Sequence, residues 1–182
     1  MRLFAALPLD DAGRKAVTAY RRDLEKLGVR GNYTRGENLH ITLAFLGEQP
    51  EWETAAEALD TVEIVPGVLR LDRLDSFGKG GILGLCPSED APVRSLAAAA
   101  EKALRAAGFD LEKRRFRAHV TLCRELQAPK GCVLPPPPAV EVPVEEIVLY
   151  LSHRPKGRLT YTPLWRKKTS GQETDISSFF SE

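Results

Sequence analysis

Residues 38–46 (NLHITLAFL) and residues 116–124 (FRAHVTLCR) share a short pattern. His40-Ile41-Thr42-Leu43 in the first stretch and His119-Val120-Thr121-Leu122 in the second both have the form His-(Ile or Val)-Thr-Leu. Both stretches are rich in β-branched and other apolar residues, which favours strands. Because residues i and i+2 of a strand point to the same face, each motif is expected to place an imidazole beside a hydroxyl, with aliphatic side chains on the opposite face.

Outward from these two strands, the chain alternates strands with helices. Asp10 or Asp11 can cap a helix that Gly28 ends, and the alanine-rich stretch before Gly108 predicts a second long helix. A helix that ends in glycine therefore precedes each histidine strand, which hints at an internal duplication. The other elements are expected as strands over residues 2–8, 67–77, 81–86, 144–153 and 158–166, a helix over 52–62, and a loop or ragged strand over 29–37. This order is typical of an α+β fold of antiparallel sheets with helices on the outside.

Composition and charge narrow the class of protein. The chain has 182 residues, of which 43% are hydrophobic and 28% charged, and its net charge is +1. These values fit one globular domain and argue against a disordered chain, a collagen or a coiled coil. The sequence shows neither an apolar run long enough for a membrane helix nor a signal peptide, and its three cysteines form no CxxC pair. A cytoplasmic protein without a membrane partner is therefore expected, and nucleic acid would have to bind to local patches.

Two histidines beside two hydroxyls suit acid–base chemistry at phosphorus. Histidine titrates near neutrality, so one of His40 and His119 can act as a base while the other acts as an acid. The hydroxyls of Thr42 and Thr121 could donate hydrogen bonds to the non-bridging oxygens of a phosphate, and Arg124 could neutralise its charge. A metal site is disfavoured, because each motif supplies one ligand and no carboxylate lies at a fitting offset. A serine triad is disfavoured because a GxSxG motif is absent.

Basic residues precede both motifs. Lys113-Arg114-Arg115-Phe116-Arg117 leads into the second motif, and Arg30 and Arg35 precede the first. They could follow a polyanionic backbone, or they could simply form a solvated surface.

The paired motifs, together with the phrases RLFAALPL, ENLHITLAFLG and FRAHVTLCR, resemble the 2H phosphoesterase superfamily. Within it, the sequence is most similar to the RNA 2′,3′-cyclic phosphodiesterases, also called 2′-5′ RNA ligases. The resemblance covers residues 1–168. It implies a bilobal fold of two antiparallel sheets with outer helices, related by a pseudo-two-fold axis, with one motif per lobe facing a central cleft.

The resemblance also implies an activity and residue roles. The reaction would open a 2′,3′-cyclic phosphate to leave a 2′-phosphate, without metal or cofactor. His40 would be the proton donor and His119 the proton acceptor, while Thr42 and Thr121 would hold the phosphate. The sequence departs from the family pattern at Tyr33, where tryptophan is frequent, so Tyr33 is the candidate aromatic contact to substrate. It also departs at Ala44, where a basic residue is common, and in the stretch 81–85, which lacks an aromatic residue.

Other functions remain open at this point. The chain could be a non-catalytic nucleotide- or RNA-binding module, or a 2H enzyme that acts on another cyclic phosphate. Joining RNA ends through a 2′-5′ bond would use the same chemistry in reverse. We expect a monomer whose partner is its substrate, namely RNA or a nucleotide with a 2′,3′-cyclic phosphate.

Residues 169–182 form a polar tail outside the resemblance. Ile176 and the pair Phe179-Phe180 have the spacing of a peptide that docks on sliding clamps, so residues 173–180 are a candidate docking segment. Glu173 stands where such peptides usually have glutamine, and packing of the tail on its own domain or a neighbour is the favoured alternative.

Overall fold

The computed structural model describes residues 1–78, 81–113 and 115–169. In these ranges the chain forms three helices and nine strands, with two short 3-10 turns between strands. The helices are α1 (Asp11–Lys26), α2 (Glu53–Asp60) and α3 (Ala91–Ala106). The strands are β1 (Arg2–Pro8), β2 (Arg30–Tyr33), β3 (His40–Glu48), β4 (Gly67–Phe77), β5 (Ile82–Pro87), β6 (Val120–Gln127), β7 (Val140–Val144), β8 (Glu146–His153) and β9 (Thr160–Lys168).

The strands form one antiparallel sheet with two halves. The order is β7-β4-β5-β6-β3-β1-β8-β9, and β2 pairs with the outer part of β6. Strands β3 and β6 meet at the single residue pair Ile41–Val120, and both side chains are fully buried. The α+β class is confirmed. The two sheets expected from the sequence are the two halves of one sheet, because the Ile41–Val120 pair, here called the seam pair, links their edges.

The helices cover one core that both halves share. α1 begins where the side chain of Asp10 accepts a hydrogen bond from the amide of Gly13 at 2.8 Å, which satisfies one of the free donors at a helix start. α3 has Pro92 in its first turn and packs against β3 of one half and β4 of the other. α2 packs against α3. The helical layer therefore bridges the seam.

Several element boundaries differ from the sequence-based expectation by one or two residues, and two differences are larger. β6 begins at Val120 instead of residue 116, because residues 116–119 have no strand partner. β7 was not expected, since its Pro143 is unusual in a strand; it pairs with β4 alone, at the edge of the sheet. No helix in the described ranges is long and apolar enough to cross a membrane. The candidate docking segment 173–180 lies outside the described residues.

Candidate active site

His40 opens strand β3 with both of its ring nitrogens engaged. Its Nδ1 lies 2.7 Å from the carbonyl oxygen of Asn38, and its Nε2 lies 3.0 Å from the hydroxyl of Thr42. A carbonyl can only accept a hydrogen bond, so Nδ1 carries the proton. In the neutral ring, Nε2 therefore has a lone pair, and the hydroxyl of Thr42 donates to it.

His119 is held in the same way. Its Nδ1 lies 2.8 Å from the carbonyl oxygen of Arg117, which again stands two residues earlier in the chain. The contact assigns the Nδ1 proton here too, and it makes Nε2 the nitrogen that can exchange a proton with a ligand.

The seam pair puts both motifs on one face of the sheet. Ile41 and Val120 are direct antiparallel partners and point into the core. Because side chains alternate along a strand, the residues on either side of this pair point to the opposite face. Those residues are His40, Thr42, His119 and Thr121, all of which are half-buried. The antiparallel register directs His40 towards Thr121 and His119 towards Thr42, so the four polar groups form one cluster.

Each imidazole rests against a phenylalanine ring. The ring centroids of Phe4 and His40 are 4.9 Å apart at an angle of 38°, and those of Phe77 and His119 are 4.7 Å apart at 39°. Tyr161 adds an edge contact to His40 at 5.3 Å. The two supports match in geometry although their phenylalanines come from different parts of the chain. They limit rotation of the imidazole rings.

A glycine makes the support of His119 possible. Gly84 of β5 lies between β4 and β6, and a Cβ atom there would be 2.5 Å from Cε2 of Phe77 and 3.4 Å from Cβ of His119. A side chain at this position would therefore collide with the Phe77 ring.

The electrostatic environment keeps His40 neutral in the free protein. The pKa of His40 is lowered to about 4, and burial is the main cause. The hydrogen bond to the Asn38 carbonyl acts in the opposite direction, and the neighbouring His119 and Arg124 contribute to the lowering. His119 and Arg124 therefore lie close enough to His40 to affect its pKa.

Arg124 reaches the site through an irregularity in β6. Gly84 pairs with Thr121 but its neighbour Leu83 pairs with Cys123, so one extra residue of β6 lies between these pairs. Simple alternation would point Arg124 away from the face of Thr121, and the bulge reverses this. The structure thus brings Arg124 into the same region as the two motifs.

Tyr33 is not brought to the histidines. Its ring packs on the core beside α1, where the guanidinium of Arg21 lies 5.0 Å from the ring centroid. Its hydroxyl donates to the carbonyl of Val29 at 3.1 Å, and burial raises the pKa of this phenol to about 12. The Tyr33 ring, which was expected to contact substrate, packs towards α1 instead, because β2 turns it to that side of the sheet.

Sequence reasoning missed Phe4, Phe77 and Gly84. Phe4 lies within the phrase RLFAALPL, although in the register of β1 against β3 it pairs with Phe45, and Pro8 pairs with His40. Phe77 and Gly84 carry no such signal, since the contact depends on how β4 and β5 pair. Within the described ranges, no three His, Cys, Asp or Glu side chains gather as a metal site.

Two His-x-Thr motifs, joined at adjacent strands of an antiparallel sheet, define a protein with a two-histidine site. The chain belongs to the 2′-5′ RNA ligase superfamily, whose family model matches residues 9–156.

Curated relatives support this membership. A protein from Escherichia coli named RNA 2′,3′-cyclic phosphodiesterase is 35% identical over 75% of the chain and 78% of its own length. Proteins of the same name from Archaeoglobus fulgidus and Geobacillus stearothermophilus are 34% and 30% identical over 68% and 84% of the chain. The chain spans about half the length (52%) of the Geobacillus stearothermophilus relative and 72% of the Archaeoglobus fulgidus one.

Solved structures agree. The crystal structure of Escherichia coli LigT in apo form superposes with a TM-score of 0.79 at 28% identity, covering 93% of this chain and 98% of that one. LigT complexed with 3′-AMP gives a TM-score of 0.78 with the same coverage. A protein from Thermus thermophilus, TT0787, gives 0.75 at 27% identity, covering 95% of this chain and 100% of that one.

Proposed function

We propose that this protein hydrolyses the 2′,3′-cyclic phosphate at the end of an RNA to a 2′-phosphate, with His40 as general acid and His119 as general base. The observation that carries the proposal is the matched anchoring of the two imidazoles. Each has its Nδ1 proton fixed on a backbone carbonyl, so that Nε2 is the reacting nitrogen. The curated relatives named RNA 2′,3′-cyclic phosphodiesterase supply the substrate class.

The proposed reaction balances in one displacement. A water oxygen attacks phosphorus while Nε2 of His119 takes a proton from that water. The bond between phosphorus and O3′ breaks, and Nε2–H of His40 gives its proton to O3′, which leaves a free 3′-hydroxyl and a 2′-phosphate. The hydroxyls of Thr42 and Thr121 donate to the non-bridging oxygens, and Arg124 offsets their charge. Exchange of protons with solvent restores both histidines.

Because the pKa of His40 is low in the free protein, His40 has to take up its proton from solvent when the substrate binds. His119 and Arg124 help to lower this pKa in the free site, and a phosphate anion between them opposes that effect. When Nε2 of His40 gains a proton, it no longer accepts from Thr42. The hydroxyl of Thr42 then becomes available to the phosphate. Substrate binding, protonation of His40 and reorientation of Thr42 are therefore linked steps.

The same groups could also join RNA ends. If the 5′-hydroxyl of a second RNA replaced the attacking water, the same two proton transfers would form a 2′-5′ linkage. This part of the proposal rests on the chemistry of the displacement alone.

The test is turnover of a 2′,3′-cyclic nucleotide, with products identified by phosphorus NMR. We expect a 2′-phosphate, activity that survives EDTA, and losses of about 10²–10⁴-fold in His40→Ala and His119→Ala. Thr42→Ala and Thr121→Ala should each lose up to ~10²–10³-fold. His153→Ala is the control, because this third histidine is hydrogen-bonded to Thr162 at 2.8 Å in the β8–β9 pair.

Three outcomes would contradict the proposal. Nucleotide binding without turnover would indicate a binding module. A 3′-phosphate product would indicate a different leaving group. Loss of activity with EDTA, restored by a divalent ion, would indicate metal catalysis.

A further inference from the structure

A cavity of about 450 Å³ lies beside His119, on the side away from His40. Phe77, which supports the His119 ring, and Ala118, the residue before His119, both line it. Its strand floor continues the active face, because Asp75 pairs with Gly84 and Gly84 pairs with Thr121. Cross-strand partners point to the same face, so the cavity opens on the face that carries both motifs. Its volume is within the range of about 300–1,000 Å³ typical of small-molecule sites.

The lining of this cavity is cationic. Arg73, Arg115 and Arg117 face it together with Asp75 and Asp90. Both acids have partners: Asp75 takes the guanidinium of Arg117 at 2.8 Å, and Asp90 takes that of Arg94.

Two arginines of the cavity are available to bind a ligand. Arg73 and Arg115 are exposed, and neither makes an ion pair within the described part of the chain. Two guanidinium groups at one cavity suit a phosphodiester, whose two non-bridging oxygens match the planar fork of arginine.

The cavity also offers an aromatic ring. Phe77 is covered by the guanidinium of Arg117, 4.4 Å from its ring centroid, and it already contacts His119. Phe116 is half-buried and lines the cavity as well. Any of the four bases can stack on such a ring, because every base has a π face.

We infer that this cavity binds the nucleotide that precedes the cyclic phosphate in an RNA substrate, with its phosphodiester on Arg73 and Arg115 and its base against Phe116. The inference rests on the proposed function. A 2′,3′-cyclic phosphate occupies the 3′ end of an RNA, so the chain can continue from the active site only on its 5′ side. The cavity next to His119 is where a cationic, aromatic surface continues from the reacting centre.

The experiment compares two substrates, a 2′,3′-cyclic mononucleotide and a dinucleotide that ends in the same cyclic nucleotide. We expect kcat/KM for the dinucleotide to be about tenfold higher or more. The double variant Arg73→Gln/Arg115→Gln should lower the ratio of the two kcat/KM values to near one. Phe116→Leu should lower the ratio in part. Arg70→Gln is the matched control, since Arg70 is an exposed arginine of the same strand that does not line the cavity.

Salt dependence gives a second readout. Each phosphate contact to a single strand adds about −0.7 to the slope of log affinity against log salt. The wild-type slope should therefore be steeper for the dinucleotide than for the mononucleotide, and the double variant should lose the difference.

The outcomes separate this inference from the proposed function. Turnover of the mononucleotide with a dinucleotide ratio near one in the wild type would overturn the inference and leave the proposed function standing. An equal ratio of the two kcat/KM values in wild type and in Arg73→Gln/Arg115→Gln would also overturn the inference and leave the proposed function standing. Absence of turnover on both substrates would overturn the proposed function and the inference with it.

Discussion

The protonation of His40 decides how the site responds to pH. An acid must be protonated to act, and the pKa of His40 is lowered to about 4 in the free protein. The pH dependence of kcat/KM reports the free enzyme, whereas that of kcat reports the bound complex. A bound phosphate raises this pKa, so the two profiles should differ.

His119→Ala makes this prediction testable, because the base no longer titrates and the coupled pair becomes a single group. In this variant kcat/KM should lack an acidic limb and should fall with increasing pH from near or somewhat above pH 4. The fall in kcat should begin at clearly higher pH. Both constants are measured against pH on a 2′,3′-cyclic nucleotide. Loss of the basic limb instead of the acidic one would mean that the two histidine roles are reversed.

His40 also affects stability in acid. Its folded pKa of about 4 lies below the unfolded value of ~6.5, so between these pH values the unfolded chain takes up a proton that the folded protein does not. Stability should therefore fall as pH decreases through this window, by up to ~3 kcal/mol in all. His40→Gln should flatten this part of the dependence, as measured by urea unfolding between pH 7 and pH 4. His153→Gln should retain it, and an equal slope in His40→Gln and wild type would contradict the prediction.

At the level of elements, the support of His119 depends on how β4 and β5 pair. Gly84→Ala would place a Cβ atom 2.5 Å from Cε2 of Phe77 and force the ring away from His119. We expect a loss of about 1–3 kcal/mol in stability from overpacking, and a loss of up to ~10²-fold in kcat/KM from a displaced imidazole. Gly67→Ala is the control on β4, since its Cβ would meet Pro92 at an ordinary 3.4 Å.

A second substitution distinguishes packing from positioning. Phe77→Leu added to Gly84→Ala should relieve the collision and recover stability without recovering activity, because the ring beneath His119 is gone. Full recovery of activity in this double variant would mean that Phe77 does not position the imidazole.

The same elements show what the sequence could and could not predict. The two motifs revealed their strands and the grouping of imidazole with hydroxyl, because alternation along a strand is a local property. Three other features depend on how distant strands pair. They are the contacts of Phe4 and Phe77 with the histidines, the bulge that turns Arg124, and the position of Tyr33 beside α1. The hydrophobic pattern fixes which face of a strand is buried, but the residue that each position meets on a strand distant in sequence depends on how the two strands pack together.

At the level of the whole molecule, the two halves have few direct links. β3 and β6 share one residue pair, Ile41–Val120, yet the buried core is continuous across both halves and α3 packs on β3 and β4 together. Separating the halves would expose this core to water, which costs far more than one pair of hydrogen bonds. We therefore expect the protein to unfold as a single unit and to hold its two histidines in a fixed relation.

Two probes can test this cooperativity. Trp52 precedes α2 and Trp165 lies on β9, so tryptophan fluorescence follows the half that contains β3, whereas far-UV circular dichroism follows the whole chain. Their urea transitions should coincide. Ile41→Val, at the fully buried seam, should shift both midpoints equally, with a loss of about 0.5–1.5 kcal/mol. Val68→Ala, at a side chain that is 61% exposed on β4, should shift neither. A fluorescence transition that persists after part of the dichroism signal is lost would show that the halves unfold separately, and that helix α3 does not couple the two histidine strands.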